Sequence, residues 1–251
     1  EAIGLKDGDN YLQINSNILQ IENEFYSDIR PKRVTLPGEK PVCALIRRGV
    51  EYVEIRCMDL DPFEPAGIAT ETMHFLELFL VWCLLSENDE VGDTEAKELK
   101  ENLRRVVHEG FDPNLTLLDK DKEVPIKGRM TYQLGCLRDL AAIMDQVKGT
   151  SCYSDSVTMA QERIDHPELI PSNRIRAQLE AGHDHTDLML ALAKQHKASL
   201  LAEPLGEELA SQLEKLSERS VDQQETIESM TQLSFAQFID AYQHQDDEYC
   251  Q

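Results

Sequence analysis

The hydrophobic pattern of the chain changes at Pro62 and Pro65, and this change restricts the folds that the chain can adopt. Before the two prolines, apolar and polar residues alternate, most clearly in residues 49–57, and such alternation predicts half-buried strands. After them, apolar residues recur at helical spacing. The sequence therefore predicts an α+β protein with two parts: strands and loops in residues 1–66, and a helical domain in residues 67–251 that ends in an acidic tail.

Five stretches of the second part have the apolar spacing of helices: residues 73–85, 99–107, 134–147, 205–216 and 235–242. The first of these is apolar nearly all round, which predicts a helix buried in a core. Its carboxylate Glu77 must be paired or lie at the rim of that core, because burying an unpaired charge is costly. The stretch is shorter than the roughly 20 apolar residues of a membrane span, so we expect no membrane partner.

Two strands are predicted in the first part, in residues 11–15 and 49–57. In the second of them Glu54 and Arg56 fall on the same face, because successive side chains of a strand point to opposite sides. A turn predicted at residues 37–41 lets an earlier segment return toward this strand. A few strands make a poor sheet by themselves, so we expect these to pair with strands that the chain does not contain.

The charge of the chain excludes some classes of partner. Its formal net charge is −22, from 25 Lys and Arg against 47 Asp and Glu. Such a charge opposes any partner that is bound by neutralising its phosphates, so nucleic acid is not expected. Residues 28–56 are the exception, with seven basic residues against four acidic ones. An anionic ligand would be steered to that stretch.

Glu54 and Arg56 are the first candidates for chemistry. A carboxylate can hold Mg²⁺ through its oxygens, and Arg can spread positive charge over oxygens that gain negative charge during phosphoryl transfer. An ordinary ion pair along the strand is the more common explanation of this spacing. The nearby basic residues Arg30, Lys32 and Arg33 favour an anion site, although such residues also occur in solvent-facing basic loops.

Other motifs argue against competing chemistries. His183-Asp184-His185 could indicate a metal site, but residues two apart on a helix do not face the same way, and no third ligand lies nearby in the sequence. The chain has no C-x-x-C pair, no P-loop, no Gly-rich dinucleotide motif and no G-x-S-x-G motif.

Four segments resemble the proteobacterial type of glutamate–cysteine ligase, in the order and with the spacing of that family: residues 12–26, 29–33, 48–56 and 59–63. The helix in residues 75–85 is also similar, while the likeness beyond residue 115 is weaker and depends mainly on helical layout and on Ser172–Ile175. The resemblance implies a fold like that of glutamine synthetase, in which an antiparallel sheet forms a funnel that holds magnesium ions.

The activity implied by the resemblance is ATP-dependent ligation of the γ-carboxyl of L-glutamate to the amine of L-cysteine through γ-glutamyl phosphate, the first step of glutathione biosynthesis. ATP and Mg²⁺, or Mn²⁺ in its place, are the implied cofactors, and the cytoplasm is the implied location.

The resemblance also carries roles to individual residues. Glu54 corresponds to a metal ligand and Arg56 to a catalytic residue that contacts the transferred phosphate. Tyr26 corresponds to a substrate-binding residue near the carboxylate of cysteine. Arg30, Lys32 and Arg33 are candidates for binding the nucleotide or phosphate.

Most metal-binding carboxylates of such a ligase come from an N-terminal half that this chain lacks. We therefore expect a C-terminal half that is inactive alone and has the missing half as its partner. One alternative is a non-catalytic helical interaction or regulatory subunit derived from the ligase, which would have no reason to keep Tyr26, Glu54 and Arg56 together. Another is a bifunctional glutathione synthase, which would need a further ATP-binding domain after the helical region.

Overall fold

The computed structural model describes residues 4–87, 90–230 and 233–244. The strands in this part are β1 (Lys6–Asp7), β2 (Asn10–Tyr11), β3 (Ile29–Lys32), β4 (Tyr52–Ile55), β5 (Thr116–Asp119) and β6 (Lys122–Pro125). The helices are α1 (Pro41–Arg48), α2 (Thr70–Leu85), α3 (Asp93–Glu109), α4 (Ile126–Lys148), α5 (Cys152–Asp165), α6 (Pro171–Glu180), α7 (His185–Ala202), α8 (Glu207–Ser229) and α9 (Phe235–Gln243). The predicted α+β class is confirmed.

The chain divides into two compact units. The first contains Glu1–Asp59 with Leu205–Gln251, and the second contains Leu60–Pro204. Helices α8 and α9 therefore group with strands β1 to β4. The predicted division between residues 66 and 67 stays a prediction.

In the first unit, strands pair as antiparallel neighbours, β1 with β2 and β3 with β4. Helix α1 lies in the connection between β3 and β4, after the turn predicted at residues 37–41, where Gly38 takes a left-handed φ of 78°. Helix α9 packs near β2: its Ile239 is fully buried, and Gln243 Nε2 donates to the Ile14 carbonyl at 3.0 Å.

The strand predicted in residues 11–15 is wrong except for Tyr11, at the end of β2. The side chain of Gln20 replaces the expected strand partner. Its Oε1 accepts from the backbone N–H groups of Ile14 and Asn15 at 2.9 and 3.2 Å, and its Nε2 donates to the Asn15 carbonyl. These hydrogen bonds satisfy the backbone groups locally. The alternating apolar and polar residues therefore form a loop here and do not pair with another strand.

The core of the second unit lies between α2, α4 and α5. Its buried residues are Leu78, Leu134, Leu137, Ala141, Tyr153, Val157 and Ile164. The predicted all-round burial of α2 is wrong, since Leu78 is its fully buried residue while Leu84 is 83% exposed. Among the described helices, none is both long and apolar enough to span a membrane.

Glu77 lies at the rim of this core and is paired, as predicted. Its Oε1 accepts from Lys148 Nζ at 2.9 Å, and its Oε2 accepts from the Tyr153 hydroxyl at 2.8 Å. Lys148 also donates to the Tyr153 hydroxyl. The three side chains connect α2, α4 and α5, so a polar residue in an apolar helix helps to fix how that helix packs.

The hairpin of β5 and β6 was not predicted. Its turn residues Lys120 and Asp121 have left-handed φ values of 52° and 60°, in a two-residue connection usually marked by Asn-Gly or Asp-Gly. The carboxylate of Glu98 stabilises the turn by accepting from both backbone N–H groups, at 3.3 and 2.7 Å. The sequence lacks the glycine that would have indicated this hairpin.

Asp145 of α4 caps the start of α5. Its carboxylate accepts from the backbone N–H groups of Tyr153 and Ser154 at 3.0 and 2.9 Å, which have no partner within the helix. Burial alone would raise the pKa of Asp145, but hydrogen bonds from Ser154 and Tyr153 outweigh it, and the pKa lies below its usual value. Folding is therefore favoured by the ionised form.

We predict that Asp145→Asn lowers the free energy of unfolding by about 1–2 kcal/mol at pH 7, because the amide nitrogen cannot accept a hydrogen bond. The contribution of the ionised carboxylate is present above its unfolded-state pKa of about 3.8 and is lost as the pH falls through the lower folded pKa. Urea unfolding of both proteins at pH 7 and pH 3 should show a smaller difference at pH 3. The exposed Asp139→Asn on the same helix is the control, and a difference independent of pH would contradict the prediction.

Candidate functional site

The pairing of β3 with β4 brings the candidate residues onto one face of a sheet. In this pairing Arg30 is opposite Glu54, and Lys32 is opposite Tyr52. Directly opposed residues of an antiparallel pair share a face, so Arg30 and Lys32 join Glu54. The ladder continues beyond β4, where the Arg56 N–H donates to the Asp28 carbonyl at 2.7 Å.

Glu54 is the centre of a small charge cluster. Its Oε2 lies 3.1 Å from Arg56 Nε and 3.3 Å from Lys32 Nζ. This oxygen is shielded from solvent and is shared by the two cations. The contact with Arg56 lowers the pKa of Glu54, desolvation opposes this shift, and Lys32 adds to the lowering. Glu54 is therefore held as a carboxylate between two cations.

Tyr26 joins this cluster through Arg56. The guanidinium carbon of Arg56 lies 4.8 Å from the centre of the Tyr26 ring, which is a cation–π contact. Tyr26 itself is 79% exposed. Lys32, Glu54, Arg56 and Tyr26 thus form a continuous row of contacts, and the sequence had placed only Glu54 and Arg56 together by geometry.

The three basic candidates also line a cleft of about 530 Å³ in the first unit. Arg30, Lys32 and Arg33 contribute positive charge to its lining, while the side chains of Phe25, Val42, Leu45 and Tyr52 make other parts of the lining apolar or aromatic. Such a combination suits an organic anion with a ring and a charged end. Sequence reasoning missed Val42 and Leu45, because it did not predict α1.

The three cations have different contacts. Lys32 pairs with Glu54, as described above. Arg33 Nε lies 3.6 Å from Glu51 Oε2, and Arg30 Nη1 donates to the Asn23 carbonyl at 3.3 Å. Only one of the three contacts thus involves the Glu54–Arg56 pair.

A magnesium ion needs more oxygen ligands than this cluster offers. Among the described residues no group of three or more His, Cys, Asp or Glu side chains is arranged to hold a metal ion. Glu54 is a suitable hard ligand, but its Oε2 is already engaged by two cations. The described residues therefore do not form a complete magnesium site.

The His183-Asp184-His185 motif has a structural role. Asp184 is the N-cap of α7, and its carboxylate accepts from the backbone N–H groups of Thr186 and Asp187 at 2.8 and 3.2 Å. Capping explains the carboxylate without a ligand.

Two other segments singled out in the sequence meet in the second unit. The guanidinium carbon of Arg174 lies 3.5 Å from the centre of the Phe63 ring. His196 Nε2 donates to the carbonyl of the preceding Pro62 at 2.9 Å. The loop that follows β4 is therefore anchored by two helices, α6 and α7.

Residues 1–106 match the family described as glutamate–cysteine ligase. A relative called glutamate–cysteine ligase from Hahella chejuensis is 37% identical over 250 residues, which cover 96% of this chain and 47% of the relative. The ligase of that name from Azotobacter vinelandii is 40% identical over 243 residues, 96% of this chain and 46% of the relative. The chain is therefore similar to glutamate–cysteine ligases over nearly its whole length. It spans about half the length of the curated relatives that it matches.

The similarity extends to solved structures. The crystal structure of glutamate–cysteine ligase from Francisella tularensis in complex with AMP has a TM-score of 0.86 and 31% identity, over 99% of this chain and 49% of that one. A bifunctional glutathione synthetase from Pasteurella multocida has a TM-score of 0.51 and 26% identity, over 71% of this chain and 22% of that one. The likeness to the ligase is closer and extends over more of the chain.

We predict that Arg56→Met raises the pKa of Glu54 more than Lys32→Met does, because Arg56 makes the larger contribution to its lowering. A titration of the Glu54 side-chain carboxyl carbon by NMR measures the pKa in each variant. Arg104→Met, which breaks a Glu–Arg pair in the second unit, should leave that pKa unchanged. Equal pKa values in the three variants and the unaltered protein would show that the cluster does not form.

Proposed function

We propose that this chain is the C-terminal part of an ATP-dependent glutamate–cysteine ligase of the cytoplasm, and that Glu54, Arg56 and Tyr26 belong to its active site. The proposal is carried by one observation: the row of contacts from Lys32 through Glu54 and Arg56 to Tyr26. The names of the relatives supply the reaction, and the AMP in the Francisella structure supports the use of ATP.

The reaction proposed has two steps. An oxygen of the glutamate γ-carboxylate attacks the γ-phosphorus of ATP, and the bond from that phosphorus to the bridging oxygen breaks to release ADP. The cysteine amine then attacks the γ-carbonyl carbon, phosphate leaves with the electron pair of the carbon–oxygen bond, and the amine loses a proton. Both steps need positive charge fixed near the phosphoryl oxygens.

Arg56 is suited to this task because its position is held on two sides. Glu54 holds its Nε, and the ring of Tyr26 lies against the guanidinium. A cation fixed in advance stabilises developing negative charge without the cost of reorganising during the reaction. Tyr26, exposed beside Arg56, is the proposed contact for the carboxylate of cysteine.

The cleft beside this row is the proposed site for ATP. Its cationic residues Arg30, Lys32 and Arg33 would face the phosphates, and its aromatic and apolar residues would face the base. Magnesium would neutralise phosphate charge when bound, with Glu54 as one ligand and the remaining ligands coming from the half that this chain lacks.

In the complete protein we expect Glu54→Gln or Arg56→Ala to lower kcat by about a hundred- to a thousandfold, because each removes charge that acts on the transferring phosphoryl group. The measurement is ADP release that depends on glutamate and cysteine, with circular dichroism to check the fold. The matched control is the partly exposed pair of Glu101 with Arg104 in α3, 2.8 Å apart, as Glu101→Gln and Arg104→Ala. Near-normal kcat in either site variant would refute the assignment.

A further prediction concerns the chain by itself. Because the described residues do not make a complete metal site, we expect no ADP release above background from this chain alone, and ligase activity from the complete protein. Adding the separately produced N-terminal half should restore some activity if the two parts associate. Ligase activity of the isolated chain would contradict the division of the site, and an inactive complete protein would favour a non-catalytic subunit.

A further inference from the structure

Lys32 occupies a position that the other two basic residues of the cleft do not share. It lines the cleft, and its Nζ also lies 3.3 Å from Glu54 Oε2, where Arg56 is the second cation. Of the cleft-lining side chains, it is the one with an ion pair to Glu54 among the described residues. Lys32 therefore links the cleft to the charge cluster.

The pair between Lys32 and Glu54 is easily exchanged. The two side chains remain 26% and 35% exposed, and the ammonium shares the carboxylate oxygen with Arg56, which lies nearer to it. Partly exposed ion pairs contribute little to stability. A lysine ammonium is a point charge on a flexible stem with three donors, so it can turn to a new anion at small cost.

We propose that Lys32 recognises the terminal phosphate of a nucleoside triphosphate bound in the cleft and brings that phosphate to Arg56. Its ammonium turns from Glu54 to the phosphate, which carries more negative charge than a carboxylate. This inference rests on the proposed function and deepens it, because it separates the three cations by role. Arg33, paired with Glu51, and Arg30, bound to a backbone carbonyl, contact the rest of the nucleotide.

The lysine takes no part in bond making. The bond that breaks joins the γ-phosphorus to the bridging oxygen of ADP, and the bond that forms joins it to the glutamate carboxylate. Lys32 keeps its proton throughout and holds the terminal phosphate. Its loss should therefore affect ligands with three phosphates more than ligands with two.

The test compares two probes in the complete protein, ADP and β,γ-methylene-ATP, by calorimetry in a magnesium buffer. For Lys32→Met we expect the Kd of β,γ-methylene-ATP to rise about tenfold, because a charged hydrogen bond to phosphate is lost. The Kd of ADP should change less than about twofold, since ADP lacks the terminal phosphate. Lys32→Arg should keep most of the difference between the two probes, because it retains the charge.

The matched control is Lys127→Met, which removes a lysine that is also paired with a carboxylate, Asp165, at 3.1 Å. It should alter neither Kd. If Lys32→Met weakens the binding of both probes equally, the inference is overturned, because Lys32 would then be a general cation of the cleft. Two unchanged Kd values would also overturn it.

The proposed function can fail separately. Suppose that Lys32→Met weakens only β,γ-methylene-ATP, but the complete protein releases no ADP with glutamate and cysteine. The role of Lys32 would then stand, and the proposed ligase activity would be refuted. If the complete protein is an active ligase but Lys32→Met affects both probes equally, the proposed function would stand and the role of Lys32 would be refuted. Binding of neither nucleotide would overturn both.

Discussion

The pairing of β3 with β4 is the interaction on which the rest of the site depends. Side chains alternate along each strand, so a shift of one residue in the register would turn one set of side chains to the opposite face. The observed register puts Arg30 opposite Glu54 and lets Lys32 reach the same carboxylate diagonally. Backbone bonds from Glu51 to Lys32 and from Arg56 to Asp28, at 2.9 and 2.7 Å, extend the ladder beyond both ends of β4.

Ion pairs with different carboxylates give the basic residues of the stretch 28–56 different roles. Glu39 accepts ion pairs from Arg47 and Arg48 at the end of α1, so those two cations help to fix the helix between the strands. Glu54 holds Arg56 and Lys32. The stretch has more basic than acidic residues inside an acidic chain, and three of its basic residues line the cleft. A local excess of this kind steers anions even when the net charge of −22 repels them at long range.

The sequence predicted which side chains share a strand face better than it predicted which residues or strands they contact. Alternation correctly placed Glu54 and Arg56 on one face, but register depends on the partner strand, so the contact with Lys32 could not be derived from spacing. Helix α1 was missed because its eight residues follow a Pro-Gly turn, and the β5–β6 hairpin because its turn has no glycine. Residues 11–15 alternate but form a loop, since Gln20 supplies the backbone partners that a strand would need. The strand register and the support of the hairpin turn by Glu98 involve residues distant in sequence, whereas the loop in residues 11–15 depends on a side chain nearby.

Three features of the chain have one explanation if a second half is present in the complete protein. The β3–β4 sheet has two strands among the described residues, fewer than a sheet usually needs for independent stability. Within the part of the chain that the structure describes, the charge cluster offers one carboxylate, Glu54, where a magnesium ion needs several oxygen ligands. Helix α2 is apolar nearly all round, yet Leu78 is its fully buried residue and Leu84 is 83% exposed. A partner that adds strands, carboxylates and an apolar surface would complete all three, and the relatives are about twice as long as this chain.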